Sequence, residues 1–170
     1  MGVDVWVPRD RSPDNPLQPV LVDASAPEFH LCFLNYRSFG VCLSLKDDQE
    51  VISHAAKRFI ADIALSMNGS ARQPTLNNLK WPMSRRESSE QTGKTAEGVV
   101  LRRLESLPGL VLVFGRDAVA AIPGLERAEP PTGALKGRQI LALDAIDEIC
   151  VGAAGKRNLW RRLNEARVSS

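Results

Sequence analysis

The sequence is poor in the residues that hold a fold or a site together by covalent or metal chemistry. Its three cysteines, Cys32, Cys42 and Cys150, lie far apart among apolar neighbours. An odd, scattered set with no Cys-x-x-Cys pair fits neither a disulfide framework nor a zinc site, and such thiols pack as small hydrophobes. There are two histidines, His30 and His54, and no local spacing joins them to carboxylates. No metal or cofactor is therefore implied. No apolar run approaches the ~20 residues of a bilayer span. The opening Met1-Gly2-Val3-Asp4-Val5-Trp6 lacks the charged-then-apolar profile of a secretory signal, so the cytoplasm is the expected compartment. The formal net charge is only +2, too small for a chain that grips nucleic acid by bulk electrostatics. Internal repeats are absent.

What remains is ordinary globular material. With 170 residues, 44% of them hydrophobic, the chain has enough apolar content for one core that needs no staples. Three regions are distinguished. Residues 1–9 hold an isolated apolar element, with Val3, Val5, Trp6 and Val7. Residues 10–18 carry charge and proline, which restrain the backbone and remove amide donors, and predict an extended linker. Residues 19–170 predict the folded domain. A short apolar peptide on such a linker cannot bury itself locally, so it folds back or serves a partner.

Within the domain, 19–23 predicts an edge strand. The apolar runs 29–34 and 41–45, joined by Asn35-Tyr36-Arg37-Ser38-Phe39-Gly40, predict a hairpin. A helix is expected next, with Asp47 or Asp48 as N-cap, Glu50 in its first turn and a stop at Asn68-Gly69. Its stripe runs through Val51, Ile52, Ala55, Phe59, Ile60, Ile63 and Met67. Residues 70–94 read as irregular. The second half then alternates: helix 95–107, strand 110–114, short helix 118–122, strand 139–143 and helices over 145–150 and 155–167. Leu159, Trp160, Leu163 and Ala166 face inward on the last of these. Unalternating apolar strands flanked by helices predict an α/β fold of three layers, a mainly parallel sheet with helices on both faces.

Few motifs carry chemistry. Thr92-Gly93-Lys94-Thr95 is similar to the end of a phosphate loop, but Ser88 stands where the first glycine belongs and polar residues replace the preceding strand. A capped helix start explains it better. Phe114-Gly115-Arg116-Asp117 is a strand, a turn and a helix start, able to cradle an anion or simply to turn. His30 sits in an apolar run and His54 near the helix stripe, which suits packing better than catalysis. Asp144, Asp147 and Glu148 follow the last strand, where α/β ligands bind and where helix N-termini favour acids. Lys156, Arg157, Arg161, Arg162 and Arg167 give the last helix a basic excess suited to an acidic partner or to solvent.

Two segments resemble one family, the psi subunit of the bacterial DNA polymerase III clamp-loader assembly. Met1-Gly2-Val3-Asp4-Val5-Trp6-Val7-Pro8-Arg9 looks like the psi N-terminal peptide, although family members carry several residues before the glycine. Gly137-Arg138-Gln139-Ile140-Leu141, followed by Lys156-Arg157-Asn158-Leu159-Trp160-Arg161-Arg162-Leu163, resembles the psi close of a strand, an acidic helical turn and a Lys-Arg-x-x-Trp helix. Lys80-Trp81-Pro82 and Phe114-Gly115 are similar to psi sequences of the Pseudomonas kind. The resemblance implies a non-catalytic bridge. Its peptide would dock on the gamma/tau subunits of the clamp-loader ring, with Trp6 as anchor and Gly2, Val3, Val5 and Arg9 beside it. Its domain would bind the chi subunit, and through chi the single-stranded DNA-binding protein. The same resemblance implies a fold similar to uracil-DNA glycosylases. A glycosylase-like enzyme is thus the alternative, although Leu143-Asp144-Ala145 at the last strand's exit lacks the histidine such enzymes use. A generic adaptor with unrelated partners is the third reading.

Overall fold

The computed structural model describes residues 27–46, 52–69, 73–83, 93–125 and 132–168. The peptide 1–9, the linker 10–18 and the expected strand 19–23 lie outside them. Six strands form one sheet in the order β3-β1-β2-β4-β6-β5, and the chain runs β1 (Phe29–Asn35), β2 (Phe39–Ser44), α1 (His54–Asn68), β3 (Thr75–Trp81), α2 (Gly93–Glu105), β4 (Leu110–Phe114), α3 (Arg116–Ala120), β5 (Thr132–Leu135), β6 (Arg138–Leu143), α4 (Ile146–Val151) and α5 (Ala153–Val168).

The α/β class and the three layers stand; the mainly parallel sheet does not. β2, β4 and β6 are parallel, but β1 pairs antiparallel with both β2 and β3, and β5 pairs antiparallel with β6. The cause is local. Tight turns return the chain between β1 and β2 and between β5 and β6, and a tight turn can only make an antiparallel neighbour. In the second turn Lys136 and Gly137 both adopt positive φ, 52° and 73°, the conformation of a two-residue hairpin.

Alternation along the strands feeds two apolar layers. Leu34, Val41, Leu43, Leu112, Phe114 and Leu141 face α1, α4 and α5. Leu31, Phe33, Cys42, Val111, Val113 and Ile140 face α2 and α3. Gly40 is required by the second packing, because a Cβ there would lie 2.8 Å from the Leu107 side chain that follows α2.

Two local expectations are corrected. α1 begins at His54, capped by Ser53, whose hydroxyl accepts from the Ala56 amide at 3.2 Å. Asp47, Asp48 and Glu50 precede the helix, outside the described residues, and a serine one residue before the first turn supplies the acceptor instead. Consequently Ala56, not Ala55, lies on the buried stripe. The stop is as expected, with Gly69 left-handed and its amide bonded to the Leu65 carbonyl. The stretch 70–94 is not all irregular, since β3 occupies part of it. Four of its seven positions are exposed in a row, which hides an edge strand from any reading of alternation.

Candidate functional site

β2 and β4 lie side by side and parallel, yet the chain leaves them in opposite senses. After β2 it passes to α1 on one face and on to β3; after β4 it passes to α3 on the other face and towards β6. Such a divergence opens a crevice at the carboxyl ends of the two strands, the usual ligand position in an open α/β sheet. A depression of about 520 Å³ lies there, lined by Ser44, Lys46, Gly115, Arg116, Asp117, Asp144, Asp147 and Glu148. A second, of about 480 Å³, shares Ser44, Lys46 and Asp117 and reaches Pro27 and His30. A third, of about 340 Å³, shares Arg116 and Asp144 and reaches Arg162. Together they make one trough along the carboxyl edge.

The turn after β4 is built for this place. Gly115 has φ +90°, which strains any residue with a side chain, and its amide donates to the Leu143 carbonyl at 3.0 Å. That bond ties the start of α3 to the end of β6. The central lining holds two cations, Lys46 and Arg116, and four carboxylates, Asp117, Asp144, Asp147 and Glu148. Among the described residues none of these six side chains enters a hydrogen bond or ion pair. Arg162 is held more firmly. It donates to the Ala142 carbonyl at 2.6 Å, and burial lowers its guanidinium pKa against the opposing pull of Asp144 and Glu165. The trough can therefore take polar and charged groups of both signs.

The structure brings together Asp144, Asp147, Glu148 and the Gly115-Arg116-Asp117 turn, as their places after β6 and β4 imply. His30 is half-buried at the rim rather than sealed in the apolar run; its Nδ1 is out of contact with solvent and, among the described residues, has no hydrogen-bond partner. His54 is exposed at the first position of α1, not packed. Trp160 is half-covered at the margin of the core. Thr92 lies outside the described residues, and α2 opens at Gly93. Gly2, Val3, Val5, Trp6 and Arg9 also lie outside them. Ser44 and Lys46 were not singled out in the sequence, although a strand followed by Ser-Leu-Lys-Asp-Asp signals a strand exit.

The cysteines fit their apolar settings. Burial pushes the Cys32 thiol up to about 11 and raises Cys42 as well, so neither supplies a thiolate nucleophile at neutral pH. Among the described residues no three His, Cys, Asp or Glu side chains form a group suited to a metal, and no helix is long and apolar enough to cross a membrane. No family model matches the chain, and no curated protein or solved structure matches it either.

Proposed function

We propose that this chain is a psi-like accessory subunit of a bacterial replicative DNA polymerase assembly, acting without chemistry of its own in the cytoplasm. In this reading residues 2–9 dock on the gamma/tau subunits of the clamp loader, and the α/β domain, with a fold of the uracil-DNA glycosylase kind, binds chi and thereby the single-stranded DNA-binding protein. The observation that carries the proposal is the close of the domain. β6 is followed by α4 with Asp147 and Glu148 in its first turn, and then by α5, which starts at Ala153 and carries Lys156 and Arg157 as its fourth and fifth residues. That is the order of strand, acidic turn and basic helix in the psi resemblance. The Trp6 peptide supports the proposal from the sequence, because an apolar anchor on a proline-rich tether suits a bridge.

The test is calorimetry with purified loader and chi. Trp6→Ala should weaken loader binding by about thirtyfold or more, the equivalent of ~2 kcal/mol for a lost aromatic anchor, with chi binding intact. Equal loss of both, or of neither, refutes the bridge. His30 at the rim of the trough favours a second reading, a glycosylase-like enzyme. Release of uracil from a labelled oligonucleotide, abolished by His30→Ala, would establish it in place of the first.

A further inference from the structure

The two margins of the sheet are built differently. β5 closes one of them with four residues, Thr132–Leu135, which Pro130 and Pro131 precede in the sequence. Brevity and proline are two usual means of blunting an edge. Among the described residues β3 closes the other margin. It has seven residues, no proline and one charge, Lys80. Its first four positions, Thr75, Leu76, Asn77 and Asn78, are all exposed. Successive side chains of a strand point to opposite faces, so neither helical layer covers that half of β3. Four large hydrophobic side chains are exposed among the described residues, and two of them belong here, Leu76 on the strand and Met83 just past its end.

The hydrogen-bond parity of the sheet fixes which backbone groups of β3 face outward. The Tyr36 amide donates to the Phe39 carbonyl at 3.0 Å, and the Leu45 amide donates to the His30 carbonyl at 2.8 Å. The even-numbered residues of β1 therefore bond towards β2. Bonded and non-bonded pairs alternate along an antiparallel ladder, so Phe29, Leu31, Phe33 and Asn35 bond towards β3, opposite Trp81, Leu79, Asn77 and Thr75. The amides and carbonyls of Leu76 and Lys80 consequently turn away from β1. Among the described residues neither enters a hydrogen bond on that outer side. These are the groups a further strand would pair.

We propose that β3 pairs antiparallel with β3 of a second copy of this chain, about a two-fold axis normal to the sheet, so that two six-stranded sheets become one. The strand is complementary to itself. With its seven residues fully overlapped, Leu76 of one copy lies opposite Lys80 of the other, and the two lysines are kept apart. Their outward amides and carbonyls then face one another as bonded pairs. One apolar side chain and one cation, each placed to meet the other, favour a second copy over an unrelated strand. The contact is isologous and closes at two copies. It goes beyond the bridging reading and does not depend on it.

Sedimentation of the full chain tests the pairing. The average mass should rise from one chain towards two as the concentration passes through about 10–100 μM, the weak association of a contact below standard interface size. Leu76→Lys sets like charges directly opposite at both ends of the pair and should weaken association about fivefold or more. Leu76→Glu sets a carboxylate opposite Lys80 and should leave association at least as strong as in the unaltered chain. Both variants are checked for an unchanged thermal midpoint, which the exposure of Leu76 leads one to expect. One chain at every concentration, the outcome if another strand already occupies this edge, overturns the proposal. So does a dimer that both variants leave unchanged, or that both weaken equally.

Discussion

The end of α2 and the starts of α1 and α5 use cations in opposite ways. At the carboxyl end of α2 positive charge completes the fold. Arg102 and Arg103 occupy the last turn of α2, where the carbonyl pole favours them. Arg138 Nε donates to the Leu107 carbonyl at 3.0 Å, its other nitrogens donate to the Glu105 and Lys136 carbonyls, and Lys136 lies 3.6 Å from the Glu105 carboxylate. Those bonds satisfy acceptors that a helix end leaves open. On the α1, α4 and α5 side Lys57 and Arg58 follow the amino end of α1, and Lys156 and Arg157 that of α5, the pole that disfavours cations, while Arg161 and Arg162 farther along α5 donate to Asn158 Oδ1 and the Ala142 carbonyl. A basic residue is thus informative only once its place along its helix is known: the end of α2 turns its cations onto carbonyls, and the starts of α1 and α5 do not.

The largest effect tests a respect in which the layers should be alike, since each closes over one thiol, Cys32 against α1 and Cys42 against α2. Burial raises both pKa values in the folded chain, while the unfolded chain ionises near the ordinary value of 9.0. Their contribution is therefore complete below that value and is lost as pH rises above it. Urea unfolding should show stability falling by about 1.4 kcal/mol per thiol per pH unit between roughly pH 9 and 11. Cys32→Ala and Cys42→Ala should each remove about half of that slope, and removal by one alone would break the symmetry. Next in size, Arg138→Ala should cost about 1–3 kcal/mol, because it strands carbonyls at the end of α2. Arg157→Ala should leave stability within about 0.5 kcal/mol, and an equal loss at both positions would dissolve the contrast. Smallest, and of opposite sign, are two charge reversals followed by thermal melting. Arg103→Glu should destabilise by about 0.3–1 kcal/mol and Arg58→Glu should stabilise by a similar amount.

Much of this architecture was legible in the sequence, and the failures share a cause. The Phe29–Asn35 and Phe39–Ser44 hairpin, β4, β6 and the helices that follow them all announce themselves, because the strands are continuous apolar runs buried on both faces and the helices carry apolar stripes. β3 did not. At the sheet margin Asn77 and Asn78 face solvent beside Leu76, itself 46% exposed, and an edge position imposes no hydrophobic period. β5 was hidden in a proline-rich loop, although Lys136-Gly137 marked its turn. The sheet is already mixed through the β1–β2 hairpin, and β3 and β5 add two further antiparallel pairings. Asp117 and Asp144 could be placed at strand ends, but their meeting with Lys46 and the arrival of His30 depend on which strands are neighbours, a long-range property that no local pattern carries.

β4 lies between β2 and β6, hydrogen-bonded on both sides and roofed by helices above and below, with Val111, Leu112 and Val113 at 0% exposure. Its backbone amides should therefore be among the slowest to trade protons for deuterium, through openings close to complete unfolding of the domain. The exchange clock of this one strand therefore reads the global unfolding free energy of the molecule.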